Sequence, residues 1–184
     1  MSTLSRLEAD LIEQDEPQLT PEQYKSVFRR HAAGVAVVTL LGDRGPVGFT
    51  ATSVISVSAE PPLLAFSIDS GSSSWPALAR TRTLVVSFLA QDQADLSARF
   101  AARGEDRFAA GGWSTLPTGE PVLDGAQSWV RGRVVQRTPV GTSYLVSVRA
   151  LDHGTREDAE PLVYRDRRYY ALAAVDGGSA STDR

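Results

Sequence analysis

Five hydroxyls fall within nine residues of the stretch Gly48-Phe49-Thr50-Ala51-Thr52-Ser53-Val54-Ile55-Ser56-Val57-Ser58, and no charge appears until Glu60. They are Thr50, Thr52, Ser53, Ser56 and Ser58. Hydroxyls and freed backbone amides are what an uncharged surface offers to a phosphate, a polyol chain or the polar edge of a heteroaromatic ring. A second cluster, Ser67, Ser70, Ser72, Ser73 and Ser74, lies one strand further on. In a barrel those two segments could be neighbours, and their hydroxyls would converge. Hydroxyl-rich edge strands also serve as plain water-facing surface, so residue type alone leaves both readings open.

What the chain lacks narrows the chemistry. It has no Cys, which removes disulfides, thiolate zinc sites, iron–sulfur clusters and cysteine nucleophiles. Its two His, His31 and His153, are far apart and belong to no His-x-x-x-His pattern, so no metal site is expected. No serine sits in a Gly-x-Ser-x-Gly elbow. Gly42, Gly45 and Gly48 are spaced for a hairpin turn rather than for a Gly-x-Gly-x-x-Gly loop. A protein this poor in acid–base side chains is expected to work with borrowed chemistry. A net charge of −3 and a pI near 5.4 argue against nucleic-acid or anionic-membrane partners. With no membrane span and no signal-peptide core in evidence, a cytoplasmic location is expected. The Arg29-Arg30 and Arg165–Arg168 clusters can neutralise a phosphate or simply end a helix and a hairpin. Trp75, Trp113 and Trp129 can stack on a ring or anchor a core.

The elements that must hold these residues read as mainly β. At 184 residues with 42% hydrophobic composition, one domain with a sizeable core is expected. Residues 1–19 are acidic, with Leu4, Leu7 and Leu11 at helical spacing, and suggest a flexible or dimer-contacting arm. Thr20-Pro21-Glu22-Gln23 is a capping box with Pro at N1, so a helix follows, with Val27 and Phe28 facing inward. Strands are expected over Val35–Leu41, Val47–Ser58, Leu63–Ile68, Thr83–Leu89, Ser128–Arg137, Tyr144–Leu151, Leu162–Tyr164 and Arg168–Ala173. Short helices should start at Ser74 and at an Asp92 cap. The Gly- and Pro-rich stretch 103–126 carries Phe108 and Trp113 as anchors, and the tail 175–184 is expected to be disordered. With no βαβ alternation, an antiparallel β-barrel with a few peripheral helices fits best.

Five segments in order resemble the flavin-reductase-like family, the small NAD(P)H-dependent FMN or FAD reductases of two-component monooxygenases. They are Phe28–Val38 with Gly48–Pro62, Arg99-Phe100, Asp106-Arg107-Phe108-Ala109, Pro121–Ala126 and Pro161–Tyr169, together spanning roughly residues 24–173. The resemblance implies a split β-barrel of Greek-key character and a homodimer with flavin near the interface. FMN or FAD would be the flavin, NADH or NADPH the hydride donor, and a separate monooxygenase the recipient of reduced flavin. Carried residue by residue, Thr50, Ala51, Thr52 and Ser53 match the loop lining the flavin ring and ribityl chain. Ser56, Val57 and Ser58 match the segment that helps hold ribityl and phosphate. Ser67 with Ser72, Ser73 and Ser74 looks like a second flavin loop, and Ser87-Phe88 stands where the family often has Asn and an apolar residue. Many members carry Gly-Asp-His before the penultimate long strand, the His approaching nicotinamide. Here the residues are Gly141-Thr142-Ser143. Ser143, Phe100, Arg165 and Arg168 are the nicotinamide-side candidates, and no side chain is expected to be catalytic because hydride passes between cofactors. A flavin-binding protein without nicotinamide turnover, and a flavin oxidase of the same barrel type, are the alternatives.

Overall fold

The computed structural model describes residues 17–104 and 106–174. The leucine-spaced stretch before residue 17 and the tail from 175 lie outside them. The chain divides into one unit up to His31 and another from Ala32 onward. In the first, helix α1 (Pro21–Arg30) begins as the sequence dictates. Thr20 Oγ1 accepts from Gln23 N–H, and Gln23 Oε1 accepts from Thr20 N–H at 2.8 Å. Val27 and Phe28, expected inward, are 61% and 54% exposed, because no residue of this helix is buried. Phe28 instead stacks on Tyr24, with ring centres 4.6 Å apart.

The second unit is mainly β, with strands β1 (Ala33–Gly34), β2 (Ala36–Gly42), β3 (Gly45–Ala51), β4 (Ile55–Ser58), β5 (Leu63–Asp69) and β6 (Thr83–Phe88). After these come β7 (Trp113–Thr115), β8 (Pro121–Leu123), β9 (Ser128–Val140), β10 (Ser143–Thr155), β11 (Val163–Arg165) and β12 (Arg168–Tyr170). Two short helices, α2 (Trp75–Leu78) and α3 (Ala94–Ala101), interrupt them. Seven strands form one sheet in the order β3-β2-β6-β9-β10-β5-β4, antiparallel throughout. Phe49 on β3 and Phe66 on β5 come from opposite ends of that order, yet their rings lie 6.0 Å apart. The sheet therefore curls until its ends approach.

Alternation along the strands explains the curl. Ala36, Val38 and Leu40 on β2, Leu84 and Val86 on β6, Leu64, Phe66 and Ile68 on β5, and Val146 and Val148 on β10 point into one core. Val35 and Val37 point the other way and join Leu89, Phe100, Phe108, Leu123 and Leu162 in a second core outside the sheet. Each large side chain buried this way stabilises the fold by roughly 1.5–3 kcal/mol. The anchors expected in the Gly/Pro-rich stretch sit here: Phe108 is buried, and Trp113 packs edge-on against it at 5.3 Å. Trp75 stacks on Tyr144 at 3.7 Å. The ribbon of β7 and β8 is fastened to the sheet by Thr39 Oγ1, which donates to Pro121 C=O at 2.5 Å. A buried ion pair fastens it too, with Arg131 and Glu120 2.9 Å apart. Burial pushes the Glu120 carboxyl up, but hydrogen bonds from Arg131, Thr118 and Thr83 outweigh it and bring the pKa down to about 2.

Three expectations need correction. Val47–Ser58 is not one strand: it breaks after Ala51 and resumes at Ile55, leaving Thr52-Ser53-Val54 as a bend. Asp92 does not cap α3. Gln93 stands at the N-cap, its amide oxygen accepting from Ala90 N–H and its amide nitrogen donating to Asp124 C=O at 2.8 Å. The strands β1, β7 and β8, each two or three residues long, were not anticipated, and β9 and β10 run 13 residues each. The tight turn between β11 and β12 is as expected, with Asp166 and Arg167 at φ 48° and 62°.

Candidate functional site

The curled sheet does not close on itself, and a cleft of about 390 Å³ opens at the gap. β3 supplies Phe49 and Thr50 on one side, β5 supplies Ser67 on the other, and the following loop adds Ser72 and Ser73. Phe100 at the end of α3 is part of the lining, and Arg103 and Arg107 stand in the loop beyond. The gap exists because β4 pairs only with Leu63–Ala65, leaving the upper half of β5 without a strand partner on that edge. Ser53 fills part of the vacancy. Its Oγ accepts from Ser67 N–H at 3.0 Å and donates to Ser67 C=O at 3.3 Å.

The residues singled out in the sequence divide sharply. Thr50, Ser67, Ser72, Ser73 and Phe100 come together at the cleft. Thr50 Oγ1 donates to Ser97 C=O at 2.7 Å, tying β3 to α3. Ser74 is buried, its hydroxyl donating to Gly48 C=O. Thr52 is exposed in the bend beside Ser53, and Ala51 is in the core. Ser56, Val57 and Ser58 lie along β4, outside the cleft lining, with Val57 exposed. Ser87 is fully buried with an unpartnered hydroxyl, and Phe88 packs against the inner core, so this pair lies away from the cleft.

Of the residues expected on the nicotinamide side, Ser143 pairs with Asp69 in the sheet, and Ser70 N–H donates to the neighbouring Thr142 C=O at 3.0 Å. Gly141-Thr142-Ser143 thus abuts the cleft wall. Arg165 stacks over Tyr170 at 5.0 Å, and neither it nor Arg168 lines the cleft. Their hairpin is nevertheless coupled to it: Tyr169 Oη and Ser97 Oγ are hydrogen-bonded at 2.9 Å. None of the three tryptophans lines the cleft. Of the two histidines, His31 ends α1, and His153 is exposed, its N–H held by Asp152 at 2.8 Å. Among the described residues no cluster of His, Asp or Glu could hold a metal.

Sequence reasoning passed over Arg107 as a site residue, although it stands inside a motif already singled out. Its guanidinium donates to Ala102 C=O from Nε at 3.0 Å, to Ser74 Oγ from Nη1 at 3.2 Å, and to Gly48 C=O. All these partners are neutral. Burial lowers its pKa, yet a guanidinium stays charged in proteins. The result is a braced cation at the cleft rim, suited to an anionic group. Gly48 makes the arrangement possible. A Cβ there would lie 2.7 Å from Phe100 Cε1 and 3.1 Å from Phe108 Cζ, in the T-shaped pair beneath the rim.

An open cleft with hydroxyls along both walls, aromatic rings and two arginines suits a planar heterocycle carrying a polyol phosphate. The family model of the flavin reductase like domain matches residues 28–173. The chain belongs to the flavin reductase like domain family. An NADH:FMN oxidoreductase of Rhodococcus qingshengii is 47% identical over 152 residues, covering 80% of this chain and 79% of the relative. Among solved structures, a flavin reductase domain protein from Arthrobacter sp. FB24 superimposes with a TM-score of 0.81 at 38% identity, over 85% of this chain and 98% of that one. An NADH:FAD oxidoreductase of Streptomyces globisporus C-1027, solved with NAD and FAD fragments, gives 0.79 at 25% identity over 86% and 98%. Within this flavin reductase like domain, Phe100 and Arg107 are the motif residues that line the cleft, with Phe108 packed edge-on against Phe100. Pro161–Tyr169 supplies the hairpin tied to Ser97.

Proposed function

We propose that this chain reduces free flavin, FMN or FAD, at the expense of NADH or NADPH and releases the product to a separate monooxygenase. The observation that carries the reading is the cleft at the sheet gap, where Thr50, Ser67, Ser72 and Ser73 face Phe49 and Phe100 with Arg103 and Arg107 at the rim. The bound pair supplies the chemistry, a hydride passing from dihydronicotinamide to flavin, which needs no protein acid or base. The protein's task is positioning. Thr50, Thr52 and Ser67 hold the ring and its polyol chain, and Ser72 and Ser73 with Arg107 meet the phosphate. Ser143 stands on the nicotinamide side, where its hydroxyl offers a hydrogen bond in place of the imidazole common in the family.

The same reading takes residues 20–174 as the working unit and the curled, unclosed sheet as a split β-barrel. It takes the protein as a cytoplasmic homodimer. Support for the dimer comes from apolar side chains left exposed: Ile55 and Val57 on β4, Leu145 and Leu151 on β10, and the Tyr24–Val27–Phe28 stripe of α1. Among the described residues no helix is long and apolar enough to cross a membrane. The test is NADH and NADPH oxidation, followed by their near-ultraviolet absorbance, with FMN and FAD as acceptors. Turnover above the protein-free rate is expected. Flavin binding without any turnover would replace the reading by that of a flavin carrier, the outcome Ser143 would then explain.

A further inference from the structure

Ser97 sits in the middle of α3, where a serine hydroxyl ordinarily faces water or turns back to the carbonyl four residues earlier. It does neither. The residue is 1% exposed, and its Oγ is hydrogen-bonded to Tyr169 Oη of β12 at 2.9 Å, its one side-chain bond among the described residues. The carbonyl it passes over, that of Gln93, accepts Ser97 N–H at 3.0 Å. In the other direction, Ser97 C=O accepts from Thr50 Oγ1 at 2.7 Å. One residue of α3 thus joins the β11–β12 hairpin to the wall of the cleft. Tyr169 itself is outside the cleft lining, its half-buried ring packed near Tyr164 at 5.2 Å in the margin of the second core.

Thr50 has a single hydroxyl proton, and Ser97 C=O takes it. Toward the cleft this hydroxyl therefore offers lone pairs alone, suited to an N–H or O–H of the ligand. Without Tyr169 Oη, the buried Ser97 hydroxyl would turn to Gln93 C=O, and back-bonding of that kind bends a helix. The far end of α3 cannot take up the bend. Phe100 lies so close beneath Gly48 that a Cβ there would come within 2.7 Å of its ring. The displacement falls instead on Ser97 C=O, which draws away from Thr50 and frees its proton.

We propose that Tyr169 is a positioning residue for flavin reduction: by holding the Ser97 hydroxyl off its own helix, it keeps Thr50 an acceptor at the cleft wall. The inference rests on the flavin reading of the cleft and extends it to a side chain outside the lining. The test is FMN fluorescence titration, beside steady-state NADH oxidation, with circular dichroism to check the fold. Tyr169→Phe should raise the Kd for FMN about fivefold, the weight of one misplaced hydrogen bond, and leave KM for NADH within about twofold. On a Thr50→Val background the same change should add nothing, because the hydroxyl it positions is gone. Adding Ser97→Ala to Tyr169→Phe should restore the Kd to within about twofold of the wild type, since alanine cannot back-bond. That pair leaves no unmatched hydroxyl, so it stays folded where Tyr169→Phe alone is unstable. A Tyr169→Phe protein that binds FMN as the wild type does, whatever its urea midpoint, overturns the proposal by making the tie purely structural. Additive losses with Thr50→Val, or no recovery with Ser97→Ala, overturn it too, and in all three cases the flavin reading stands. A wild type that binds neither FMN nor FAD removes that reading, and this inference with it.

Discussion

Replacing Arg107 by methionine keeps the aliphatic stem and deletes the guanidinium, so it tests brace and anion site together. Three neutral acceptors lose their donor: Ala102 C=O, Ser74 Oγ and Gly48 C=O. A hydrogen bond to a charged group contributes about 1.5–3 kcal/mol in a protected setting. Arg107 is only half-buried, so water can repair part of the loss. Scaled for that, the variant should lose about 2–4 kcal/mol in urea unfolding at an unchanged m-value. Flavin affinity should fall by about tenfold, the effect of one lost phosphate contact. Arg107→Lys separates the two roles. A lysine keeps the charge but cannot span three acceptors with a planar fork, so affinity should recover more than stability does. An Arg107→Met protein that unfolds within about 0.5 kcal/mol of the wild type and binds FMN equally well would refute both halves of the reasoning.

Further outcomes follow from the same contacts. Ser53→Ala should cost about 1 kcal/mol, because its hydroxyl is the partner of Ser67 N–H and C=O, whereas Thr52→Val should leave unfolding unchanged and weaken FMN binding; equal effects on both measurements would break that distinction. Gly48→Ala should destabilise by about 1–3 kcal/mol through overpacking on Phe100 and Phe108, read as a lowered urea midpoint, and a neutral result would mean that the aromatic pair can yield. Glu120 has a folded pKa of about 2 against an ordinary value of 4.5, so its ionised form, held by hydrogen bonds from Arg131, Thr118 and Thr83 against the cost of burial, contributes about 3 kcal/mol above pH ~4.5, lost as the pH falls toward ~2. Glu120→Gln should therefore flatten the acid limb of stability between about pH 5 and about pH 2, and an unaltered limb would defeat the assignment.

How much was legible in the sequence depended on whether a signal was local. The α1 start at Thr20-Pro21 and the β11–β12 turn at Asp166-Arg167 rest on contacts within a few residues, and both were readable. So was the hydrophobic run that makes β2, since a central strand buried on both faces needs no partner to announce it. The pairing of β7 with β8 was not, because three-residue strands are held by tertiary contacts such as Thr39 to Pro121 rather than by their own pattern. The inward face assigned to Val27 and Phe28 failed for a related reason: helical spacing gives the stripe but not the surface that covers it. At the site, hydroxyl density singled out two segments that the fold brings to one cleft through Thr50 and through Ser67, Ser72 and Ser73. Arg107 carried no such density, and its role became visible only when Gly48, Ser74 and Ala102 proved to share it.

The hydroxyls themselves divide by mechanical duty. An unclosed sheet leaves edge backbone groups that need partners, and here side chains meet much of that need. Ser53 takes Ser67 and Ser74 takes Gly48, while Thr50 ties the β3 edge to α3 through Ser97 C=O. Each tie fixes one side of the gap, so the cleft is held open before any ligand arrives. Fewer unpaired donors then remain for the ligand: Ser67, Ser72 and Ser73 at the cleft and Thr52 in the exposed bend, with Thr50 able only to accept. A preformed site with few unpaired donors spends little on ordering itself and gains only a few polar contacts, which favours modest affinity and quick exchange. Those are the properties a flavin reductase needs if its product must leave for another enzyme. The same serines and threonines that mark a candidate ligand surface in the sequence thus argue, once their partners are known, for a site built to let go.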